Sequence, residues 1–386
     1  MNIALNENLV SERATQRTML RDSVVRFLRD SEPIARMRRM RATQPGFDRN
    51  VWTQMAEFGW LAILIPEDYG GLGLGFTEMS IVLEQLAKGL TPEPVISATV
   101  LAGRAISHGE NETLKQELLS GLATGELIPA LAWQEDVSTA NPETVATSAV
   151  SGSSGYRLSG NKHFVHGTPG ADGFVVSATN DGEPLLCWVP ADTNGITIQP
   201  RPLADGRFCS SVEFNEVTVA RDHILAVGPA ARQALDFAIN ETLIMIGSEL
   251  CGVMSSSLEL SISYLKTRVQ FGKPIGSFQA LQHRVVDLQI QNELSMAAVS
   301  DSITLLDNDP ASPRNAVNAS RVKTRCGTAA LQITRESIQL HGAIGFTDEY
   351  DAGLYLKRAL VLSTWLGNSN RHRRRYFDLT QNTKQE

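Results

Sequence analysis

The chain of 386 residues has only four cysteines, at 187, 209, 251 and 326, with no CxxC pair and no metal-like spacing. They read as buried thiols in a reducing compartment, and no zinc or other metal site is implied. A basic excess is also missing: the net charge is −7, the pI is near 5.6, and no basic block has the size of a nucleic-acid arm. A polynucleotide ligand is therefore not expected. No stretch is expected to approach the ~18 apolar residues of a membrane helix. The opening MNIALNENLVSERATQR lacks the basic and apolar regions of a signal peptide. Glu7 and Glu12 fall where a mitochondrial presequence avoids acids, so the expected location is cytoplasmic. With 42% apolar and 20% charged residues the composition is that of an ordinary globular protein. The length predicts two or three domains and a sizeable core, and the substrate is expected to be small.

Three textures follow one another along the chain. Residues 1–125 read as helical: Leu20, Val24 and Phe27 open one amphipathic face, and apolar periodicity continues from Met79 to Leu90. Residues 126–228 carry short runs of Val, Ile, Phe and Leu between turn sequences such as Gly152-Ser-Ser-Gly155, Asn180-Asp-Gly182, Asp192-Thr-Asn-Gly195 and Asp205-Gly206, which predicts a small β-domain. From 229 to 386 helical spacing returns, with Asp309-Pro-Ala-Ser-Pro313 as a breaker. The glycine-rich stretch 65–75 has no βαβ unit around it, so a dinucleotide-binding loop is rejected there.

The most informative segment is RVQFGKPIGSFQALQH, residues 268–283. Leu250, Met254, Leu258, Ile262 and Leu265 predict a long packed helix running up to Arg268, which Gly272 and Pro274 then stop. An arginine at such a turn can give parallel donors to a phosphate, and the Gln279 amide can pair with a ribose or base edge. The alternative is an arginine that caps the helix C-terminus. The segment resembles the signature of the acyl-CoA dehydrogenase family, and residues 65–75 resemble that family's PExYGGxG packing turn. IQLHGAIGFTDEY, residues 338–350, resembles its QIxGGxGF/Y segment.

The resemblance implies an α+β fold made of an N-terminal all-α domain, a middle β-domain and a C-terminal four-helix bundle. It also implies FAD as cofactor. Arg268, Phe271, Gln279, Gln339 and Gly342 would contact the FAD of a neighbouring subunit, with Ala343 standing at the family's second glycine. On the chain's own flavin side the pattern departs. The family's TEPxAGSD segment reads LAWQEDVSTA over 131–140, with Gln134 before the surviving Glu135. Its aromatic-Ile-Thr/Ser contact reads Phe164-Val-His166, where His166 either donates to the flavin or faces solvent.

The family reaction removes an α-proton from an acyl-CoA as a hydride leaves the β-carbon, so a carboxylate is required. Counting seventeen residues on from Glu349 reaches the usual base position, which is Leu366. The alternative helix-borne position is Thr242, followed by Leu243 where an arginine is usual, which leaves Glu241 and Glu249 as candidate bases or as solvated or ion-paired residues. Contacts to a partner's FAD are thus kept while the chain's own are altered. That split resembles the small pimeloyl-CoA dehydrogenase-type and steroid side-chain subunits, and it implies an α2β2 hetero-oligomer acting on an acyl-CoA with electron-transfer flavoprotein as acceptor. A self-sufficient homo-oligomer, a non-catalytic subunit that completes a partner's FAD site, and a flavin oxidase or monooxygenase remain as alternatives. The charge runs at Arg36–Arg41 and Arg371–Arg375 are read either as contacts for the CoA phosphates or, the commoner case for such runs, as solvated helix faces.

Overall fold

The computed structural model describes residues 2–382 apart from 42, 139 and 154, with residues 2–11 and 382 described by their backbone alone. Thr139 of the altered 131–140 stretch, Ser154 of the first turn sequence and the Glu7 side chain lie outside the described residues.

The N-terminal part contains helices α1 (Asn2–Ser31), α2 (Pro33–Met40), α3 (Arg49–Glu57), α4 (Phe76–Lys88), α5 (Gly103–Ser107) and α6 (Glu112–Thr124). Asp48 starts α3 by accepting from the Asn50 amide, and Asn111 starts α6 by accepting from the Leu114 amide. Strands follow: β1 (Pro129–Ala132), β2 (Ser148–Gly152), β3 (Gly155–His166), β4 (Gly173–Asn180), β5 (Glu183–Pro190), β6 (Ile196–Pro202), β7 (Phe208–Ala220) and β8 (Ile224–Val227). They form one sheet in the order β6-β7-β3-β2-β4-β5-β8, with β1 parallel to β4. The turn sequences fall between strands as expected, Asp181-Gly182 joining β4 to β5 and Asp205-Gly206 joining β6 to β7.

Helices resume with α7 (Gly228–Thr267), a two-residue hairpin of β9 (Val269–Gln270) and β10 (Lys273–Pro274), α8 (Gln279–Asn308), α9 (Arg314–His341), α10 (Ala352–Thr364) and α11 (Ser369–Asn382). The α7 helix is the axis of the molecule, packing on α4, α8, α9 and α10. Two glycines allow this closeness: a Cβ at Gly252 would lie 2.1 Å from the Glu84 carbonyl oxygen of α4, and one at Gly247 would lie 2.3 Å from Val322 of α9. The expectation that no stretch approaches the apolar length of a membrane helix needs correction. By length and a mean hydropathy of 1.3, α7 contains a window apolar enough to cross one, but 83% of that window is buried inside the protein. It is a core helix whose polar residues are spread along it without making any one face polar. All four cysteines are buried and free.

Candidate functional site

Six of the residues singled out in the sequence lie together at one end of the helical bundle. α7 stops at Thr267, Arg268 turns into extended backbone, and the hairpin tip places Phe271 at φ 54 with 90% of its surface exposed. The Arg268 carbonyl accepts from the Ile275 amide at 2.8 Å, which folds the hairpin back so that α8 begins at Gln279. A 2.7 Å hydroxyl contact between Ser261 and Ser337, and the Tyr264 ring 4.6 Å from that of His341, fasten the ends of α7 and α9 together. Arg284 and Glu336, 3.6 Å apart, bring in the start of α8.

Arg268, Gln279, Gln339, Gly342 and Ala343 are all exposed on this end. Among the described residues the Arg268 guanidinium makes no hydrogen bond or ion pair, which disfavours the capping alternative. Gly342 ends α9 at φ 63, ψ −139, and a Cβ there would meet nothing within 4 Å. The glycine is thus required by the backbone conformation, and the space before it is open to a ligand. The arginine run at the end of α2 is only partly a solvated face, with Arg39 exposed and its neighbours paired. Arg36 pairs with Glu93 at 2.9 Å, while Arg38 and Arg41 bind Asp351 and Asp348 and steady the loop that follows Gly342.

A second region lies between the sheet and the bundle. A cavity of about 290 Å³ is lined by Gln134, Ser138, Phe164, His166, Trp365 and Leu366, among others. A smaller one of about 40 Å³ lies on the other side of His166 and Trp365 and is edged by Glu93, Arg207 and Arg358. The imidazole of His166 stacks on the Trp365 indole at 4.5 Å and 29°, so the solvent-facing alternative for this histidine is corrected. Burial, reinforced by Arg358, pushes His166 down to about 3, so it is neutral at physiological pH. Phe164 occupies φ 53 where β3 slips register against β7, and the Gln134 amide donates to the Asp136 carbonyl at 2.9 Å. Glu135 faces away from the cavity, bound to the buried Lys162 at 2.6 Å and accepting from the Ala146 and Thr147 amides.

The candidate bases are elsewhere, and among the described residues no carboxylate lines the larger cavity. Glu241 is 3% exposed and accepts from Arg104 at 2.7 and 3.1 Å, with His108 Nε2 at 2.9 Å. Burial works to raise its pKa, but Arg104 and His108 hold it below the ordinary carboxylate range. Glu249 is 5% exposed and bound by Arg358, which also donates to Asp205 at 2.7 Å. Neither glutamate lines either cavity. Of the alternatives left open for them, the geometry favours the ion-paired one: both are arginine-bound carboxylates of the core. Leu366 is 4% exposed at φ 59, a left-handed conformation that costs a non-glycine residue about 1–3 kcal/mol. Leu366 is on the wall of the larger cavity, and its aliphatic side chain can accept no proton.

Glu93 was missed in the sequence. Among the described residues it is the one carboxylate edging the smaller cavity, and burial raises its pKa despite Arg36. The available signal was an acid between two prolines in an otherwise apolar stretch, Leu90–Leu101. Lys323 and His372, buried behind the Trp365–Leu366 turn, were also missed, because their partners are backbone carbonyls.

Comparison with known proteins agrees with this architecture. The model of the acyl-CoA dehydrogenase N-terminal domain matches residues 14–126, and that of the C-terminal domain matches residues 232–377. Acyl-CoA dehydrogenase IpdE2 of Mycolicibacterium smegmatis is 30% identical over 363 residues, covering 93% of this chain and 97% of that protein. Among solved structures, a variant of the Tcur3481-Tcur3483 steroid ACAD superposes with a TM-score of 0.87 at 26% identity, covering 97% of this chain and 99% of the other. A chain of the ChsE4-ChsE5 complex from Mycobacterium tuberculosis, 23% identical, shares the fold with a TM-score of 0.84 over 93% of this chain and 95% of its own. The chain belongs to the acyl-CoA dehydrogenase family, whose members are FAD-dependent oxidoreductases that desaturate acyl-CoA thioesters.

Proposed function

We propose that this chain is one subunit of a heteromeric, α2β2-type acyl-CoA dehydrogenase, in which it completes a partner's FAD site and the partner supplies the catalytic carboxylate. The observation that carries the proposal is the contrast between its two halves. At the bundle end, Arg268, Gln279 and Gln339 project from an exposed surface beside the open backbone of Gly342, a set of donors that fits the phosphates and ribose of a dinucleotide. In the chain's own cavity the base position is Leu366, and Glu241 and Glu249 are bound by arginines.

FAD, when bound, accepts the hydride removed from the β-carbon. This chain's residues would bind and orient: the Arg268 guanidinium holds a phosphate, the carboxamides of Gln279 and Gln339 bind ribose or base edges, and Phe271 packs across the interface. Within its own cavity, Gln134, Phe164 and the neutral His166 can offer ring contacts and hydrogen bonds to a flavin, but no group there takes up an α-proton. The reading carries with it an acyl-CoA substrate bound mainly by the partner, electron-transfer flavoprotein as acceptor, and a cytoplasmic location. The two components in the name Tcur3481-Tcur3483 support an assembly of two chains.

The test compares the chain purified alone with the chain co-purified with an acyl-CoA dehydrogenase encoded beside it, measuring flavin content and bleaching by acyl-CoAs. Bleaching is expected only for the pair. Full flavin reduction by the isolated chain would reject the heteromer. A pair that binds flavin with no change when this chain's Arg268 is altered would reject its clamping role.

A further inference from the structure

The turn that carries Trp365 and Leu366 forms a wall of both cavities, and it is gripped from behind by two buried nitrogen bases. Lys323, in the middle of α9, is 0% exposed. Its ammonium donates to the Trp365 carbonyl at 2.6 Å and to the Leu362 carbonyl, and no carboxylate lies within ion-pair distance of it among the described residues. Burial pushes it down to about 7, while the carbonyls at the C-terminal end of α10 favour its charged form. His372, on α11 and 1% exposed, reaches the next carbonyl along, with Nε2 3.0 Å from the Leu366 oxygen.

The tautomer of His372 follows from its partners. The Arg375 guanidinium donates to Ser320 Oγ at 2.9 Å, so that hydroxyl keeps its own hydrogen for His372 Nδ1 at 3.4 Å. Nε2 therefore carries the proton and donates to Leu366. The ring stays neutral, because burial and the adjacent Lys323 push it down to about 3. Three carbonyls of one short stretch, at 362, 365 and 366, are thus held by donors from two other helices. Gly367 fits against the same ring: a Cβ there would lie 3.0 Å from His372 Nε2.

We propose that Lys323 and His372 are positioning residues that lock the Trp365–Leu366 turn, keeping the Trp365 indole against His166 and residue 366 on the wall of the larger cavity. The proposal goes beyond the half-site reading: the seat of the missing carboxylate is preserved by a clamp that does not depend on the residue seated there. Its conformation at φ 59 would relax if the clamp were released.

The test is hydrogen–deuterium exchange on the purified full chain, comparing Lys323→Met, His372→Leu and His372→Gln with the parent. Losing a donor to a buried carbonyl should raise exchange of the amides over 362–372 by about tenfold or more, with the sheet unchanged. The His372→Gln side chain still presents an N–H, so it should restore slow exchange where His372→Leu does not, which a purely space-filling role would not produce. If Lys323→Met fails to fold, the two His372 variants decide. Unchanged exchange over 362–372 in His372→Leu, or equally fast exchange in both His372 variants, overturns the proposal. The readout needs no flavin, so its failure is separate from failure of the subunit reading. That reading is tested separately, by whether Arg268→Ala in the co-purified pair alters the absorption band of bound flavin.

Discussion

Replacing Arg358 with Met tests whether Glu249 is a core carboxylate or a reserve base. Arg358 is 5% exposed and gives Nε to Glu249 at 2.8 Å and Nη1 to Asp205 at 2.7 Å, so it joins α10 to α7 and to the β6–β7 turn. Asp205 keeps Arg207 at 3.0 Å when Arg358 is lost. Glu249 keeps nothing comparable, and its Oε2 already lacks a partner. Removing one member of such a buried pair costs about 3–5 kcal/mol, because the remaining charge is uncompensated. At roughly 2 °C per kcal/mol for a chain of this size, calorimetry should show the melting temperature falling by about 6–10 °C. Adding Glu249→Gln to Arg358→Met should recover about 1 kcal/mol or more, since the orphaned charge is then gone. An Arg358→Met protein within about 0.5 kcal/mol of the parent would refute the reasoning. So would a Glu249→Gln protein of parental stability that had lost flavin reduction, because Glu249 would then be acting as the base.

The other predictions concern the clamp and the acid limb of stability. Arg268→Ala in the co-purified complex should weaken FAD retention about 10- to 100-fold, the worth of a charge-assisted phosphate contact, and leave melting unchanged because the side chain is exposed. Equilibrium dialysis measures this, and unaltered retention would remove Arg268 from the site. For Glu241 the folded pKa lies below the unfolded one, so its contribution is present above the unfolded value of about 4.3 and is lost as pH falls through the lower folded value. Glu241→Gln should therefore be less stable than the parent in urea at pH 7, with the gap closing below about pH 4. A gap that stays constant with pH would show that the Arg104 ion pair contributes nothing.

The fold was legible because its signals are local. The spacing of Leu250, Met254, Leu258, Ile262 and Leu265 and the Gly272 and Pro274 breakers depend only on near neighbours, and they ended α7 at the observed place, one residue before Arg268. The residues proposed for the half-site fall in two short segments of sequence, which is why they could be singled out together, and the bundle brings both segments to one end. What stayed hidden depends on chain closure. Glu241 meets Arg104 across 137 positions and Glu249 meets Arg358 across 109, and no periodicity on α7 reports such partners. The same holds for His166, whose placement follows from Trp365 arriving from the far end of the chain. Within the Arg371–Arg375 run, His372 is buried and Arg375 binds Ser320 and Asn240, while Arg373 and Arg374 are exposed. A charge run thus conceals an inward-facing stripe wherever its helix packs, here on α9.

The most direct test of the central claim is a structure of the co-purified complex loaded with FAD, read for which chain touches the adenosine diphosphate half. The account predicts Arg268, Gln279 and Gln339 of this chain within hydrogen-bond distance of a nucleotide whose flavin ring lies in the partner subunit, beside a carboxylate of that partner. Those three side chains pointing into solvent, with the nucleotide held by the partner alone, would contradict it.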